Sequence, residues 1–388
     1  MESIEQMIKR LCPGGVEWKK ISEICTVGTG SGNRQDASKD GLYPFFVRSK
    51  EVLLNDYYEF DEEPILIPGE GCIGDIFHYY KGKYALHQRT YRIHPTFDSI
   101  NTKYLYYYMY ANFKKFILRK AVSATVTSIR KPMIETFEIA LPPLEIQNRI
   151  VEVLDKMTTL EAELEAELEA RKRQYEYYRS KLLTFSEISG GIRFVRLGDL
   201  FELRNGYTPS KGNVDFWTDG TIPWFRMEDI RANGRILNDS IQHITPSALK
   251  GKGLFPAGSF ILATTATIGE HALLTTDSLA NQRFTNLSVR KTHQKDVNIK
   301  FLYHYMFIID EWCKKNVNSS SFASVDMSKL KEYMIPIPPL SEQQRIVSIL
   351  DRFEALTTDL QSGLPAEIEA RRQQYEYYRN KLLTFEAV

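Results

Sequence analysis

The chain contains the same fifteen-residue segment twice, and this duplication constrains its fold more than any other feature. The segment RKRQYEYYRSKLLTF at 171–185 returns as RRQQYEYYRNKLLTF at 371–385, with 12 of 15 positions identical. Upstream, LPPLEIQNRIVEVLDKM at 141–157 returns as IPPLSEQQRIVSILDRF at 337–353. The 388 residues therefore form two tandem copies of a repeat that is about half the chain long.

The stretches that precede these segments match only at sparse anchors. YLYYYM at 104–109 pairs with FLYHYM at 301–306, and HQR at 87–89 pairs with NQR at 281–283. The order is A-B-A′-B′, in which B and B′ are nearly identical while A and A′ share a frame and differ in content. This contrast predicts that B performs one mechanical task twice and that A recognises two different targets, with neutral drift of A as the alternative. We expect four parts, namely an N-terminal globular domain at 1–140, a central helical spacer at 141–190, a C-terminal globular domain at 191–336 and a C-terminal helical spacer at 337–388.

The first B segment has the apolar periodicity of a long amphipathic helix. Its apolar residues recur at spacings of three, four and seven from Ile150 to Phe185. The Pro-Pro pair at 142–143 marks the start of this helix, and the Gly-Gly pair at 190–191 marks its end. An unbroken helix from Glu145 to Phe185 would be about 60 Å long.

The second B segment repeats this pattern with an interruption. Ser341 and Gln344 stand three apart just after the Pro-Pro pair at 338–339, which predicts a capping box and a helix start at this point. Gly363 and Pro365 then predict a kink or a brief restart of the helix. The two B segments are therefore expected to be similar in pattern and different in continuity.

Helices of this length with a single apolar stripe need a partner, and the obvious partner of each B segment is the other one. The two would form an antiparallel coiled coil that holds the A domains at opposite ends and relates them by a pseudo-two-fold axis. The alternative is that each helix packs on its own A domain.

The aromatic block YEYYR occurs in both helices, at 175–179 and at 375–379. Its tyrosines stand at positions i, i+2 and i+3, so they cannot all face one seam. Exposed aromatic residues beside arginine are typical of protein interfaces, which predicts docking sites for another subunit. Packing inside the core explains the block equally well. The predicted docking residues are Tyr175, Tyr178, Arg179, Tyr375, Tyr378 and Arg379.

The charge is segregated, although the net charge is only +1. The helical segments are acidic, with 7 basic and 10 acidic residues at 141–190 and with 6 and 8 at 337–388. The rest of the chain therefore has a modest excess of positive charge, which is weak support for polyanion binding. Four scattered cysteines without a CxxC pair favour a reducing cytoplasm, and the N-terminus and the apolar stretches predict neither export nor a membrane span.

No catalytic constellation is visible in the sequence. VGTGSG at 27–32 imitates a nucleotide-binding loop, but SGNRQDASKDG follows where a helix should open, so we interpret it as a turn in a recognition loop. The Walker A, HExxH and GxSxG patterns and the methyltransferase Pro-Pro-aromatic motif are absent. The seven histidines do not cluster at the sequence spacings of metal ligands. We therefore expect no catalytic residue, metal site or cofactor on this chain.

The A-B-A′-B′ order, the PPL…QxRIV…LD helix starts and the twin QYEYYRxKLLTF ends resemble the specificity subunits of Type I restriction-modification enzymes. The run LEAELEAELEA at 160–170 is similar to the short repeats of their central helix. The resemblance covers the whole chain and implies two target recognition domains of mixed α/β (α+β) build. Each would read one half of an asymmetric, two-part DNA target, and the helices would set the distance between the halves.

The resemblance also implies the partners. Two modification subunits would dock on the helices, bring S-adenosylmethionine and methylate adenine, and restriction subunits would add cleavage that depends on ATP and Mg²⁺. None of that chemistry would belong to this chain. The alternative function is an assembly scaffold without catalytic activity whose A domains bind proteins, which the modest charge and the aromatic-rich A domains keep open.

Base readout needs arginine, lysine, asparagine or glutamine on loops that reach the groove edges. The candidates in the first domain are Asn33, Arg34, Arg48, Lys50, Gln88, Arg89, Arg130 and Lys131. Those in the second domain are Asn205, Thr208, Lys211, Arg226, Asn281, Gln282, Arg283 and Ser320. Any one of them is more often a phosphate contact than a base reader, because about half or more of protein–DNA hydrogen bonds go to the backbone.

Overall fold

The structure is a computed structural model that describes residues 2–71, 74–120, 128–185, 191–251, 253–318, 323–359 and 362–385. Its contacts divide the chain into two compact units. Unit 1 consists of Met1–Ala166 and Ala366–Val388, and unit 2 of Glu167–Pro365. Each unit thus combines one A domain with parts of both helical segments.

The A domain of unit 1 is built from two four-stranded sheets, β2-β9-β6-β7 and β4-β3-β8-β5, and from the antiparallel pair β1-β10. Strand β6 is buried along its whole length, as expected for an apolar strand covered on both faces. Helix α3 covers the core with Tyr104, Leu105, Tyr108, Met109 and Phe113. The elements are α1 Ile4–Leu11, β1 Glu17–Lys20, α2 Ile21–Ile24, β2 Cys25–Thr29, β3 Tyr43–Phe46, β4 Val52–Asn55, β5 Phe60–Glu62, β6 Ile65–Pro68, β7 His78–Tyr79, β8 Gly82–Leu86, β9 Thr90–Pro95, α3 Thr102–Lys120, α4 Lys131–Glu135 and β10 Glu138–Leu141.

Helix α5 follows as one continuous helix of 40 residues, Leu144–Leu183, which confirms the long helix predicted for the first B segment. The Gly190 that was expected to mark its end lies outside the described residues. Among the residues that the structure describes, no helix is both long enough and apolar enough to cross a membrane.

The A domain of unit 2 repeats this frame. Its sheets are β12-β19-β16-β17-β14 and β15-β13-β18, and the pair β11-β22 matches β1-β10. Helix α8 takes the place of α3. The elements are β11 Arg193–Arg196, α6 Leu197–Leu200, β12 Phe201–Asn205, β13 Ile222–Phe225, α7 Met227–Asn233, β14 Ile236–Leu237, β15 His243–Ile244, β16 Phe260–Ala263, β17 His271–Leu274, β18 Leu279–Ala280, β19 Phe284–Val289, α8 Ile299–Lys315, β20 Val317–Asn318, β21 Ser324–Val325, α9 Met327–Glu332 and β22 Met334–Ile337. The predicted mixed α/β fold with two domains in tandem is confirmed.

The second B segment contains two helices, α10 Leu340–Thr358 and α11 Leu364–Leu382, which confirms the predicted interruption. A side chain at Gly363 has no room, because its Cβ would lie 2.6 Å from the carbonyl oxygen of Ala355. The predicted capping box is wrong. Helix α10 begins at Leu340 with Pro339 at the N-cap, a residue without a side-chain acceptor, so Ser341 already lies in the first turn.

A buried glutamine fixes the start of each helical segment instead. Gln147 is 1% exposed, and its amide nitrogen donates to the carbonyl oxygens of Pro142 at 2.8 Å and Ser99 at 3.2 Å. Its amide oxygen accepts from the backbone nitrogen of Asn101 at 2.9 Å. Gln343 makes the same three hydrogen bonds, with Pro338, Asp296 and Asn298. The side chain therefore ties the helix start to the loop before α3 or α8.

Within unit 1, helix α11 packs against the first part of α5. Arg372 forms ion pairs with Glu161 and Glu165 of α5. Farther along α11, Lys381 pairs with Glu5 of α1 at 2.9 Å, and Arg10 of the same α1 reaches Glu145 near the start of α5 at 3.4 Å. The order of these contacts shows that the two helices run antiparallel.

Within unit 2, helix α10 packs against the last part of α5. The rings of Tyr175 and Tyr178 stack on Phe353, with centroids 6.2 and 5.5 Å apart. The alternative in which each helix packs on its own A domain is also realised, because Ile150 and Leu154 of α5 belong to the core of unit 1. Each helical segment therefore contacts an A domain and another helix.

Candidate nucleic-acid interface

In unit 1, an exposed edge collects most of the residues predicted to read DNA. Glu70, which follows β6, accepts from Arg48 at 3.0 Å and from Arg89 at 2.8 Å. The hydrogen bond from Arg89, followed by that from Arg48, lowers the pKa of Glu70. Arg34 lines a cavity of about 180 Å³ together with Arg48 and Glu70. Two arginine forks and one carboxylate thus stand side by side, the groups that bind guanine and cytosine edges.

The glycine-rich segment of unit 1 lies beside this edge. Gly30 has no room for a side chain, because its Cβ would be 2.0 Å from the carbonyl oxygen of Leu86 at the end of β8. The backbone of Gly32 then accepts from the nitrogen of Gln88 at 2.9 Å. The side chain of Gln88 donates to Asn33. The first half of the segment belongs to β2, and the chain after it is held against the end of β8, so the predicted turn is instead the end of a strand.

The remaining candidates of unit 1 lie farther along the same surface. The backbone nitrogen of Ile129 donates to the carbonyl oxygen of Gly69 at 2.7 Å. Arg130 follows Ile129 and Glu70 follows Gly69, so this hydrogen bond places Arg130 near Glu70. Lys131 is exposed and lies 3.5 Å from Glu135. Lys50 is exposed in the turn after Arg48. The structure therefore gathers Asn33, Arg34, Arg48, Gln88 and Arg89 and leaves Lys50, Arg130 and Lys131 at the margin.

The corresponding edge of unit 2 also depends on a glycine that lies against a neighbouring backbone carbonyl. A Cβ at Gly206 would lie 2.3 Å from the carbonyl oxygens of Ala280 and Asn281, so the chain after β12 is pressed against the turn before β19. Thr208 donates to Gln282 across this contact. Arg283 is exposed beside them, and its backbone nitrogen donates to the side chain of Asn281 at 3.0 Å.

The other candidates of unit 2 are spread out. The side chain of Asn205 accepts from Thr285 at 3.1 Å at the end of β12. Arg226 is half-buried at the N-cap of α7, with its guanidinium 5.8 Å from the ring centroid of Trp224. Lys211 is exposed on the loop after β12, and Ser320 lies outside the described residues. The edge of unit 2 therefore centres on Asn205, Thr208, Asn281, Gln282 and Arg283.

Residues 13–170 and 190–370 match the family described as "Type I restriction modification DNA specificity domain". The chain belongs to this family. It contains two specificity domains in tandem, which confirms the predicted kinship with the specificity subunits of Type I restriction-modification enzymes.

Several relatives of this specificity chain have names of the same kind. The Type I restriction enzyme EcoprrI specificity subunit of Escherichia coli is 50% identical over 201 residues, which are 50% of either chain. A second Escherichia coli specificity subunit is 40% identical over 253 residues, 62% of this chain and 60% of the relative. The chain thus matches only half to three fifths of these two relatives. A Haemophilus influenzae protein named as a type I restriction enzyme specificity subunit is 28% identical and covers 99% of this chain and 100% of its own.

Solved structures share the fold of this specificity chain. A chain from a structure of the complex assembly and conformational transition of the type I R-M system superimposes with a TM-score of 0.65 at 16% identity, covering 96% of this chain and 98% of that chain. The type I S subunit of M. genitalium gives a TM-score of 0.56 at 13% identity, covering 96% and 97%. These likenesses concern the fold alone.

The YEYYR blocks of the specificity chain face two ways. Tyr175 is buried and Arg179 lies over Phe307 at 4.1 Å in unit 2. In unit 1 the half-buried Tyr375 packs against the core, Arg379 lies over Tyr110 at 5.7 Å, and Tyr378 is 38% exposed. Tyr178 stacks on Phe353. Five of the six predicted docking residues, all but Tyr378, are thus occupied by packing inside their own unit.

The most exposed tyrosines are ones that the sequence prediction left out. Tyr177 is 60% exposed and Tyr377 is 61% exposed. Each stands two positions after an inward-facing tyrosine, Tyr175 or Tyr375, and residues two apart on a helix point to different faces. The spacing of two residues could therefore have predicted Tyr177 and Tyr377 as the exposed tyrosines. Glu70 was missed for another reason, because the residue types predicted to read bases included no carboxylate.

Proposed function

We propose that this chain reads an asymmetric, two-part DNA target, with one half-site for each unit, and that it has no catalytic activity of its own. The observation that carries the proposal is the pair of exposed polar edges. Both are built on a glycine with no room for a side chain, Gly30 in unit 1 and Gly206 in unit 2. They occupy equivalent places in the repeat and share a Gln-Arg pair, Gln88-Arg89 in unit 1 and Gln282-Arg283 in unit 2. They differ at other positions, such as Glu70 and Thr265, as two readers of different sequences need.

We assign the residues near the centre of each edge to base readout and those at the margin to phosphate contacts. Arg48 and Arg89 are bidentate donors whose geometry matches the O6 and N7 acceptors of guanine, and Glu70 orients both. Gln282 and Arg283 take this role in unit 2. Lys50, Arg130, Lys131 and Lys211 are exposed cations suited to positioning the duplex by its phosphates.

We further propose that the helical segments set the spacing of the half-sites and dock two modification subunits. The exposed Tyr177 and Tyr377 occupy equivalent places in the two copies, which favours one partner for each copy. The modification subunits would bring S-adenosylmethionine and the restriction subunits ATP and Mg²⁺, and the assembly would act in the cytoplasm. A methyltransferase that flips its base needs such positioning, because the target atom is unreachable inside the stack.

A gel shift of this chain in complex with a modification subunit tests the proposal. The duplexes are the target found by methylome sequencing and a scrambled sequence of equal length, at one stated salt concentration, since phosphate contacts make affinity depend on salt. We expect the target to bind at least about 10³-fold more tightly than the scrambled duplex. Equal affinity for both duplexes, or assembly of the subunits without DNA binding, would support a protein scaffold instead.

A further inference from the structure

Unit 2 contains three side chains from α8 and α10 that converge without a role in DNA reading. The Nε2 atom of His304 lies 2.7 Å from Oδ1 of Asp351. Glu354 stands one turn after Asp351 on α10, and the candidate ligand atoms of all three residues lie within 4.8 Å of one another. His304 is fully buried, whereas both carboxylates are half-buried.

The groups around this trio are those that hold metal ligands in place. The hydroxyl of Tyr303 donates to Oε1 of Glu354, and the hydroxyl of Tyr175 lies 3.4 Å from Nδ1 of His304. Metal-bound imidazoles and carboxylates regularly have such outer hydrogen-bond partners, which fix the ligand orientation. Burial lowers the pKa of His304, and a metal ion that binds the imidazole would replace the proton that Nε2 shares with Asp351.

A cavity of about 800 Å³ opens beside the trio and is lined by Asp351 and Glu354. Its wall also contains Asp310, which is 3% exposed. Oδ2 of Asp310 lies 2.7 Å from Nδ1 of His271, whereas Oδ1 has no hydrogen-bond partner among the described residues. Arg235 also pairs with Oδ2 of Asp310 at 3.2 Å, so the charge of this carboxylate is balanced, and its free oxygen is suited to an ordered water in the cavity.

We propose that His304, Asp351 and Glu354 bind one divalent transition-metal ion, with zinc as the best fit. One imidazole and two carboxylates suit zinc, and three protein ligands leave a fourth position that faces the cavity and can take water. Two ligands at about 2.1 Å from a tetrahedral ion are about 3.4 Å apart, so His304 and Asp351 need to separate by less than about 1 Å.

Among the five cations that line this cavity, Lys300 lies against a proposed ligand. Nζ of Lys300 is 3.9 Å from Oδ1 of Asp351, and its side chain is 39% exposed. A surface contact of this length between flexible groups contributes little to stability. The ammonium can turn into the solvent at small cost when the ion binds.

Unit 1 provides an internal control, because the repeat places different residues at the same positions. Tyr107 stands where unit 2 has His304, Thr158 stands where it has Glu354, and Asp155 corresponds to Asp351. The hydroxyl of Tyr107 donates to Asp155 at 2.6 Å. The repeat therefore packs at this position without the trio. Of the two equivalent positions, the one in unit 2 carries the trio and the one in unit 1 does not.

The test measures zinc binding by the full chain without an affinity tag. Equilibrium dialysis against Zn²⁺, followed by elemental analysis, compares the wild type with the double variant His304→Tyr and Glu354→Thr. This variant introduces the side chains that unit 1 already carries, and circular dichroism checks its folding. Its cysteines are unchanged, and burial raises the pKa of Cys25 and of Cys313 to about 12, which makes these thiols poor zinc ligands.

We expect the wild type to bind one more zinc ion per chain than the folded double variant does. The single variant Tyr303→Phe, which removes the partner of Glu354, should keep that ion with an affinity about tenfold lower. Zn²⁺ should also raise the unfolding temperature of the wild type and leave that of the double variant unchanged. Equal stoichiometry and affinity in the wild type and the double variant would overturn the proposal. The readout involves neither DNA nor partner subunits, so its outcome is independent of the proposed function.

Discussion

Gln147 in unit 1 and Gln343 in unit 2 make the same three hydrogen bonds, whereas the recognition edges share only part of their residues. Gln88 and Arg89 return as Gln282 and Arg283, but other positions of the two edges differ. Glu70 forms an isolated bridge with Ser128, and the corresponding bridge of unit 2 joins Thr265 to Ser324. A carboxylate that binds two arginines in one unit is thus replaced by a hydroxyl in the other. Buried polar groups tolerate few solutions, because each lost partner is costly, while exposed edges are free to diverge. The two copies of the repeat therefore keep the buried glutamine and differ in the exposed residues of the recognition edge.

The largest effect is expected from the exchange of a whole A domain, since this replaces one recognition edge and keeps the other. Replacing residues 16–140 with the corresponding domain of another family member should change one half of the methylated target and leave the other half intact. Methylome sequencing of cells that express the chimera with its partner subunits reads both halves at once. The matched exchange of residues 192–336 should alter the opposite half. A single exchange that alters both halves would show that the units do not read independently.

The next test concerns the length of helix α5. Deleting Leu164 to Glu167 from the LEAE run of α5 shortens the helix by about 6 Å and turns one end by about 40°. One base pair advances about 3.4 Å and turns about 35°, so the rotation matches one base pair. Rotation decides which groove a unit faces, while gentle bending of long helices can absorb a difference of a few ångströms in length. We expect both half-sites to be kept and the spacer to shorten by one base pair.

Methylome mapping of the deletion variant measures this spacer directly. As a control, four alanines in place of Leu164 to Glu167 keep the helix length and should leave the spacer unchanged. If the deletion variant stays active with the original spacer, these residues merely solvate a helix face and the helix does not set the spacing of the half-sites.

The shared frame can be tested with a matched pair of core changes. Gln147→Ala and Gln343→Ala each leave buried backbone groups without partners, and each should lower the free energy of unfolding of its own unit by about 2–4 kcal/mol. Hydrogen exchange resolves the two units in one sample. Asn148→Ala, which removes an exposed 2.8 Å hydrogen bond from Asn101, should cost less than about 1 kcal/mol. Unequal effects of the two glutamine changes would show that the frames are not equivalent.

The smallest effects are expected from single residues of the recognition edges. Arg89→Ala should weaken discrimination at one base pair of one half-site by about 1–3 kcal/mol, and Arg283→Ala should do so in the other half-site. Lys131→Ala should weaken binding to all duplexes alike and reduce the salt dependence. Competition gel shifts with single-base variants of the target measure all three. Loss of discrimination in both half-sites from one arginine change would contradict the assignment of one half-site to each unit.

The features that could be predicted from the sequence are those that repeat or recur within a few residues. The periodicity from Ile150 to Phe185 was enough for α5, and Gly363 with Pro365 was enough for the interruption. The capping box failed because Ser341 lies two positions after the actual N-cap, Pro339. A local sequence pattern alone does not determine the residue at which a helix begins.

What could not be predicted depends on contacts between distant parts of the chain. His304 and Asp351 are 47 residues apart in sequence and 2.7 Å apart in space, so a search for metal-ligand spacings passes over them. Glu70 becomes important only because β6, the loop after β3 and the turn before β9 bring Arg48 and Arg89 to it. The candidates for base readout were found by residue type, and the fold decided which of them meet.

Helix α11 has a consequence for how the chain is made. Residues 366–385 complete unit 1, where Leu383 is buried in the core and Arg372 pairs with α5. A ribosome makes these residues only after all of unit 2, although domains usually fold in the order of their synthesis. The first A domain must therefore wait, with part of its apolar surface uncovered, until the last segment arrives. A nascent chain of this kind is exposed to aggregation for the whole time that the second half takes to be translated.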